Sequence, residues 1–316
     1  IDSGSAENTS ASSQAAHTIS AAMSDDTDGY RATIRQRIES SEMKSAQDLP
    51  ELDAKDWQDV SLAERIHLPM SSGASSWPWI ERYIMDAGKL PPSRAVRIEE
   101  MINHFSYREP SMIEHGGLAA DVEICSNPWT PQTHLLAVHL LAQPGASVES
   151  LRASLVISSD RVKKLRLLGY GTAVAKPETE KIVPVGTPAV ASRTRGNYVL
   201  YEIVLDPENT ASAGVPLISL TLGGEGMLAS KEPKAWIHSS PDMRFASVIA
   251  ATGMMLSDYP AVGELDSGRL DSMLDLLEKT DAQSLKAERK GALELARKAL
   301  EIIQKNPINR ELRVDG

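Results

Sequence analysis

The spacing of apolar residues predicts two helices in the first third of the chain. In residues 90–105 the apolar side chains recur at i, i+3, i+4 and i+7, the spacing of one buried helical face. These residues are Ile98, Met101, Ile102 and Phe105. The charged residues of the segment lie mostly off this face: Arg94, Arg97, Glu99 and Glu100. Ser93 follows two prolines and predicts the helix cap. A similar stripe over residues 80–87 ends at Gly88 and predicts a preceding helix.

From residue 118 the apolar period changes to two, which is the period of strands. The strand patterns cover residues 118–125, 134–141, 151–157, 162–168, 198–205, 217–222 and 235–238. Short strands with turn signals and no helical pattern between them predict antiparallel pairing. Helical stripes return at residues 245–256, 270–277 and 292–303. We therefore predict an α+β fold in which N-terminal and C-terminal helices flank an antiparallel β-sandwich.

These patterns divide the chain into four predicted regions. Residues 1–28 contain almost no apolar side chains, so they cannot offset their ordering entropy and are predicted to be a disordered tail. A helical region at 29–110, a β-sandwich at 111–240 and a helical region at 241–310, packed on the sandwich, follow. A polar tail before a folded body is typical of an exported protein. We expect an extracytoplasmic location, in the periplasm or cell envelope, with a possible N-terminal membrane tether outside this sequence.

Composition narrows the classes of partner. The chain has 316 residues, of which 33 are Lys or Arg and 43 are Asp or Glu, for a net charge of -10. No basic stripe is present, and we expect no nucleic-acid partner because phosphate binding needs positive charge. No apolar run approaches the ~20 residues that span a bilayer. The single cysteine, Cys125, excludes an internal disulfide and is expected to be buried in a strand.

Two blocks of the sequence resemble a known bacterial family. The first comprises residues 96–105, after Leu90-Pro91-Pro92, and Asn127-Pro128-Trp129 with the strand at 135–138. The second comprises residues 162–170, 201–204, 242–246 and 253–256. In this order they resemble the conserved blocks of bacterial von Willebrand factor type A (VWA) domain lipoproteins of the YfbK type.

The resemblance implies a VWA domain that is missing from this chain. In the family it lies between the strands that correspond to residues 135–138 and 151–157, and an Asp-x-Ser-x-Ser motif binds a divalent cation. This sequence contains no such motif, and only nine residues separate Leu141 from Leu151. The metal-dependent binding of the family therefore does not carry over. Because domain termini usually lie close together, we predict that strands on both sides of the 142–150 junction form one sandwich.

The remaining motifs predict no catalytic, cofactor or metal site. Gly169-Tyr170-Gly171 lacks the third glycine of a dinucleotide fingerprint and favours a turn at a strand end. Residues 25–29 are acidic but lack the distant glutamate of a calcium loop. Glu99 and Glu100 are adjacent on a helix and point about 100° apart, so they do not form an acid–base pair.

Three residues are candidates for contact with a partner protein. Arg97 and Arg244 lie in the family-like blocks, where a structural ion pair or a helix-end carbonyl contact is favoured over a partner contact. Trp129 lies in a turn flanked by prolines. Because aromatic residues dominate the energetics of protein interfaces, we expect Trp129 to be half exposed.

The leading functional hypothesis is a non-enzymatic extracytoplasmic scaffold or accessory subunit that binds a partner protein and needs no cofactor. The alternative is a fragment or deletion form of a metal-dependent VWA adhesion protein. A third hypothesis is an enzyme with an unusual site in residues 172–196.

Overall fold

A computed structural model describes most of the chain between residues 57 and 305. The described residues are 57–62, 65–69, 76–110, 114–115, 118–142, 153–170, 196–206, 216–222, 226–229, 232–257, 265–281 and 285–305. The predicted tail at 1–28 and residues 172–195 of the stretch considered for an unusual enzyme site lie outside them. The domain boundaries given above stay predictions.

Two short strands open the described chain, helices follow, most strands lie in its middle, and three long helices end it. Strands β1 to β10 are Gln58–Asp59, Arg65–His67, Glu114–His115, Leu118–Ser126, His134–Ala142, Ala153–Ile157, Val162–Leu167, Asn197–Leu205, Ile218–Leu222 and Gly226–Ala229. Helices α1 to α5 are Ser76–Glu81, Ile98–Asn103, Pro241–Ser257, Ser267–Asp281 and Ala287–Lys305. A π-helical segment, Arg82–Asp86, continues α1, and 3-10 turns lie at Val60–Leu62, Ser93–Ala95 and Trp236–His238.

The strands form two antiparallel sheets. The six-stranded sheet has the order β1-β7-β8-β5-β4-β3, and the four-stranded sheet has the order β10-β9-β6-β2. In the larger sheet Val122 pairs with Val138, which in turn pairs with Val199. Because paired residues point to the same face of a sheet, this register aligns the apolar alternation of three strands.

Both sheets contain strands from both sides of the 142–150 junction. Strand β5 ends at Ala142 in the six-stranded sheet, and β6 begins at Ala153 in the four-stranded sheet. Strand β2 precedes the junction in the sequence, and it pairs with β6, which comes after the junction. The predicted α+β class, with antiparallel strands contributed by both flanks, is confirmed.

Two apolar clusters divide the described body into layers. One lies between the sheets and takes alternate residues of their strands, including Leu136, Val138, Leu155 and Leu220. The other lies between the opposite face of the six-stranded sheet and the helices, and it includes Leu135, Trp129 and most of α3. The sheets are therefore layers of a helix–sheet–sheet body rather than a plain two-layer sandwich.

The predicted helix at 90–105 is interrupted, although its apolar face is correct. Val96 and Arg97 are extended, with ψ of 102° and 110°, between the turn at Ser93–Ala95 and α2. The Ser93 carbonyl accepts from the Val96 N–H, so Ser93 belongs to this turn and does not cap α2. The four apolar residues of the predicted face are all buried. Glu99 and Glu100, expected off that face, are also buried, because polar groups elsewhere in the fold satisfy their carboxylates.

The strand predicted at 235–238 is a 3-10 turn. The backbone pairs with β4 only at Lys234, which forms an isolated bridge with Cys125. The N–H of His238 then bonds the carbonyl of Ala235 and closes the turn. Three consecutive apolar residues, Ala235 to Ile237, are compatible with either structure, and the burial of Trp236 is achieved by the turn.

Candidate interaction groove

An open groove lies between the Trp236–His238 turn and helix α4. It has a volume of about 780 Å³. We call it the Ile237 groove and define it by Pro128, Trp236, Ile237, Arg269, Met273 and Leu276. Most of these side chains are apolar, and Asp266, Arg269 and Ser272 add polar groups.

Ile237 is the exposed apolar side chain of this groove. It is 44% exposed, and Met85, at 45%, is the other large apolar residue of the described chain that is exposed to this extent. Leu276 is partly buried against the helical core. The groove therefore offers solvent-accessible apolar surface beside a packed core.

Arg244 of α3 holds the Ile237 wall from inside the protein. Its Nη1 donates to the carbonyl of Ile237 at 3.1 Å and also to the carbonyl of Ser239. Its Nε and Nη2 donate to the two carboxylate oxygens of Asp281, at the end of α4, at 3.1 and 2.6 Å. Arg244 is 8% exposed, so it positions this wall and does not present its guanidinium to solvent.

Trp236 anchors the same turn to two other elements. Its indole Nε1 donates to Ser247 Oγ of α3 at 3.0 Å, and its backbone N–H donates to Ser126 Oγ of β4 at 3.0 Å. The side chain is 7% exposed. The turn is therefore tied to both the helical layer and the sheet.

The Pro128 wall is a turn held by buried polar contacts. Asn127 Oδ1 accepts from the Trp129 N–H at 3.0 Å, and Asn127 Nδ2 donates to Glu202 at 3.0 Å. Thr133 Oγ1, at the other end of the turn, donates to the same Glu202 oxygen at 2.7 Å. Trp129 is fully buried, so the expected half exposure is wrong. Its indole packs in the helix-side core, and the turn is closed by the contacts to Glu202.

Glu202 also forms a buried ion pair across two strands. Arg166 Nε and Nη2 donate to Glu202 Oε2 at 2.8 and 2.6 Å. The Trp57 ring covers the guanidinium, with its centroid 4.6 Å from Arg166 Cζ. One carboxylate with four donors thus links β7, β8 and the Pro128 turn, and removal of a single partner would leave buried polar groups unsatisfied.

Arg97 lies in a separate part of the helical layer. Its Nη1 is 3.5 Å from Glu100 Oε1. Glu100 Oε2 accepts from the N–H and the hydroxyl of Ser76, at 2.9 and 2.7 Å, and thereby caps α1. The three sequence candidates are therefore not brought together at one site. Trp129 and Arg244 support the two walls of the Ile237 groove, whereas Arg97 contributes to α1 and α2.

The residues that line the groove were not predicted from the sequence. Ile237 belongs to the short apolar run that predicted a strand, and Met273 and Leu276 belong to or border the apolar stripe of α4. Nothing in the local pattern distinguishes an apolar residue that faces a groove from one that faces the core. The position of Pro128 in a turn was the one signal in the sequence for this surface.

A smaller polar cleft of about 180 Å³ lies at the start of α3. Glu123 accepts from the N–H and the hydroxyl of Ser240 at 2.8 and 2.5 Å, and Lys234 is 2.8 Å from the same carboxylate. His139 lines the cleft, packs against the rings of Tyr107 and Tyr198, and is 5% exposed. Burial lowers the pKa of its imidazole to about 4, so His139 is neutral at neutral pH.

Two searches of the described residues found neither a metal cluster nor a membrane span. No group of three or more His, Cys, Asp and Glu side chains among them is placed to hold a metal ion. In the same residues, no helix combines the length and the apolar character needed to cross a bilayer.

Comparison with protein families gives one match. The family model described as von Willebrand factor (vWF_A) matches residues 58–137, from β1 into β5. The match supports a von Willebrand A-type relation for this segment, which precedes the 142–150 junction where the metal-binding domain of the family is expected to be missing, and it includes the Pro128 wall of the groove. It is coarse support for a protein-interaction or adhesion-type role. Searches of curated proteins and of solved structures found no match.

Proposed function

We propose that this protein is a non-enzymatic scaffold or accessory subunit whose Ile237 groove binds an apolar segment of a second protein. The observation that carries the proposal is the 44% exposure of Ile237 on a wall that buried contacts hold in place. An isoleucine with this exposure leaves apolar surface in water, and a partner side chain that covers it gains the free energy of removing that surface from solvent.

The rigidity of both walls supports the same proposal. Arg244 and Asp281 fix the Ile237 wall, and Asn127 and Glu202 fix the Pro128 wall. A groove that is ordered before binding loses less conformational entropy when it is occupied. The polar rim around Asp266 and Arg269 would set the register of the bound segment, since polar rims surround the apolar centres of protein interfaces.

We also propose a family and a cellular location for the protein. We assign the chain to the VWA-associated lipoproteins of the YfbK type, on the resemblance of its two sequence blocks, and place it in the periplasm or cell envelope. The match over residues 58–137 supports the broader von Willebrand relation. Fractionation of the native host, with detection of the protein by antibody, tests the location. Recovery with cytoplasmic markers would contradict it.

The binding proposal is tested by comparing two variants with equally exposed apolar side chains. Ile237→Asp places a charge on the groove wall, and Met85→Asp places the same charge on the π-helical segment away from the groove. The full chain and both variants are purified natively at low detergent, and co-purifying proteins are quantified by mass spectrometry. Any protein captured by the wild type is then produced alone and titrated against all three chains.

We expect Ile237→Asp to weaken binding of the purified partner at least tenfold and Met85→Asp to leave it within twofold. Equal binding by the three chains would exclude the groove as the binding site. A wild-type chain that purifies as a monomer without a partner would contradict the scaffold function. Self-association that only Ile237→Asp abolishes would show that the groove holds a second copy instead.

The alternative function, a deletion form or fragment of a metal-dependent adhesion protein, is favoured by the position of the family match. The match ends at residue 137, shortly before the crossover from β5 to β6. Because β5 and β6 belong to different sheets, a domain inserted between them would leave the strand pairing within both sheets intact. Sequencing the gene across the codons for residues 143–150 decides the question, because a long insertion supports the alternative and continuous codons exclude it.

A further inference from the structure

The polar cleft at the start of α3 has two buried rings in its lining. His139 of β5 and Tyr198 of β8 are cross-strand partners, and their ring centroids lie 5.5 Å apart. Both residues line the cleft and are buried, at 5% and 4% exposure. Rings beside charged side chains are a setting in which proteins bind small organic ions.

The imidazole of His139 brings an unused hydrogen-bonding group to the cleft. Its Nε2 has no hydrogen-bond partner. The edge of the ring with Cδ2 and Nε2 lies against Gly196, where an added Cβ would be 2.6 Å from Nε2 and 3.2 Å from Cδ2. Gly196 also has a left-handed φ of +70°, which favours glycine. The opposite edge, with Nδ1, is therefore turned towards the cleft, and Nδ1 accepts a hydrogen bond when the proton is on Nε2.

Side chains of both signs surround the cleft. Among the described residues, its lining has the carboxylates of Asp121, Glu123, Glu232 and Asp242 and the basic side chains of Arg108 and Lys234. Three of these carboxylates have basic partners at 2.7 or 2.8 Å, which are Lys234, Arg161 and Arg289. The lining therefore favours neither a simple anion nor a simple cation.

Asp121 and Arg108 place opposite charges at this cleft. Asp121 in β4 is the register partner of His139, so the two side chains lie on the same face of the sheet. The backbone at Arg108 is fixed by its N–H, which donates to Asp242 Oδ2 at 2.9 Å. The side chain of Arg108 is exposed, so its guanidinium is accessible to a ligand.

We propose that this cleft binds a free α-amino acid, with the ammonium group on Asp121 and His139 and the carboxylate on Arg108. An ammonium group has three donors, which suit a carboxylate and a neutral imidazole nitrogen together. A guanidinium pairs with a carboxylate through two parallel N–H donors. The cleft shares no lining residue with the Ile237 groove, and the proposal does not rest on the function of that groove.

The size of the cleft restricts the ligand to a small amino acid. Its volume is about 180 Å³. Since one water molecule occupies about 30 Å³ of the liquid, this space admits a molecule of about six non-hydrogen atoms. Alanine has this size. A long or aromatic side chain would have to extend out of the cleft.

The test compares alanine with two molecules that each lack one of its charged groups. Ethylamine lacks the carboxylate, and propionate lacks the ammonium group. Each is titrated into the full chain at neutral pH and constant ionic strength, and the ring resonances of Tyr198 are followed by NMR. We expect a saturable shift with alanine, and binding at least tenfold weaker for ethylamine and for propionate.

Three variants assign the two ends of the ligand. Asp121→Asn should weaken alanine at least tenfold. Arg108→Gln should weaken alanine to a similar extent but leave ethylamine within twofold of the wild type. Asp160→Asn is the matched control, because it removes an exposed carboxylate that does not line the cleft, and it should keep alanine binding within twofold.

Two results would overturn the proposal. The first is a wild-type chain that gives no saturable shift with alanine, or that binds ethylamine or propionate as tightly as alanine. This series needs no variant, so it stays decisive if a variant fails to fold. The second is folded Asp121→Asn and Arg108→Gln chains that bind alanine as the wild type does.

Discussion

The two faces of the six-stranded sheet bury different kinds of residue. The face towards the four-stranded sheet carries apolar residues at alternate positions, such as Leu136, Val138 and Val199. The face towards the helices carries an apolar cluster together with buried polar groups, such as His139 and Glu202. The same strands therefore pack apolar surface on both sides, and the helix side adds buried polar networks.

This difference distinguishes apolar contacts, which fill space, from hydrogen bonds and ion pairs, which position particular groups. Apolar contacts between the sheets are non-directional and tolerate exchange of one aliphatic residue for another. Hydrogen bonds and ion pairs on the helix side have fixed geometry, and each buried partner needs its complement. The helix side is where the chain holds defined surfaces, including both walls of the Ile237 groove.

The largest expected effect comes from breaking the helix-side ion pair. Glu202→Ala leaves Arg166, Asn127 and Thr133 without their shared acceptor, and we expect a loss of about 3–5 kcal/mol in the free energy of unfolding. Urea denaturation measures it. The double variant Arg166→Met with Glu202→Leu, which removes both charges, should recover much of the loss. A double variant no more stable than Glu202→Ala would show that stability depends on the charges or on the acceptor that Glu202 offers to Asn127 and Thr133.

On the face towards the four-stranded sheet, the free energy of unfolding should depend on the volume of the buried side chains. Leu136 is fully buried, and Leu136→Ala should cost about 2–5 kcal/mol through lost transfer energy and a residual cavity. Leu136→Met, which conserves volume, should cost less than about 1.5 kcal/mol. The same urea titrations measure both. A large cost for the methionine variant would mean that this face also depends on fixed geometry.

The pH dependence of stability should distinguish His139 from Glu99. Burial lowers the pKa of His139 from 6.5 to about 4, so the unfolded chain binds more protons between these values. The stability that His139 contributes is present above pH 6.5 and is lost as the pH falls to about 4. The full loss is on the order of 3 kcal/mol.

The variant His139→Phe keeps an aromatic ring beside Tyr198 and should abolish that loss. Glu99 contributes with the opposite sign, because burial raises the pKa of its carboxyl. Free energies of unfolding measured from pH 7.5 to 4, for the wild type and for His139→Phe, check both signs. Parallel profiles for the two proteins would exclude His139 as the origin of the acid sensitivity.

The smallest expected effect on stability is at the groove itself. Ile237→Asp and Met85→Asp change exposed side chains, and each should alter the free energy of unfolding by no more than about 0.5 kcal/mol. Thermal unfolding measures this change. If Ile237→Asp loses partner binding but keeps its stability, Ile237 contributes to binding and not to the buried networks beneath the groove. A large destabilisation would instead show that Ile237 has a structural role.

Much of the fold could be predicted because burial in strands follows a local period. The alternation in β4, β5, β8 and β9 predicted their positions to within a few residues, and the stripe from Ile98 to Phe105 predicted a buried helical face. The turn at 236–238 was missed because four residues carry too little periodicity to separate a strand from a turn. The burial of Glu99 and Glu100 was missed because the period of a helix contains no information about distant hydrogen-bond donors.

The candidate site was less predictable for the same reason. Trp129 and Arg244 were selected by residue type and by the blocks in which they lie. Their roles depend on Asn127, Glu202 and Asp281, which lie up to tens of residues away in sequence. A single sequence specifies that such donors and acceptors exist but not which of them meet.

By itself, the sequence determined the α+β class and the apolar faces of the main strands and helices. These depend on hydrophobic periodicity, which neighbouring residues define. The tertiary structure decided which polar residues are buried, which apolar residue stays exposed beside α4, and where the chain adopts a left-handed turn. These depend on contacts between segments far apart in the chain, and only the folded geometry fixes them.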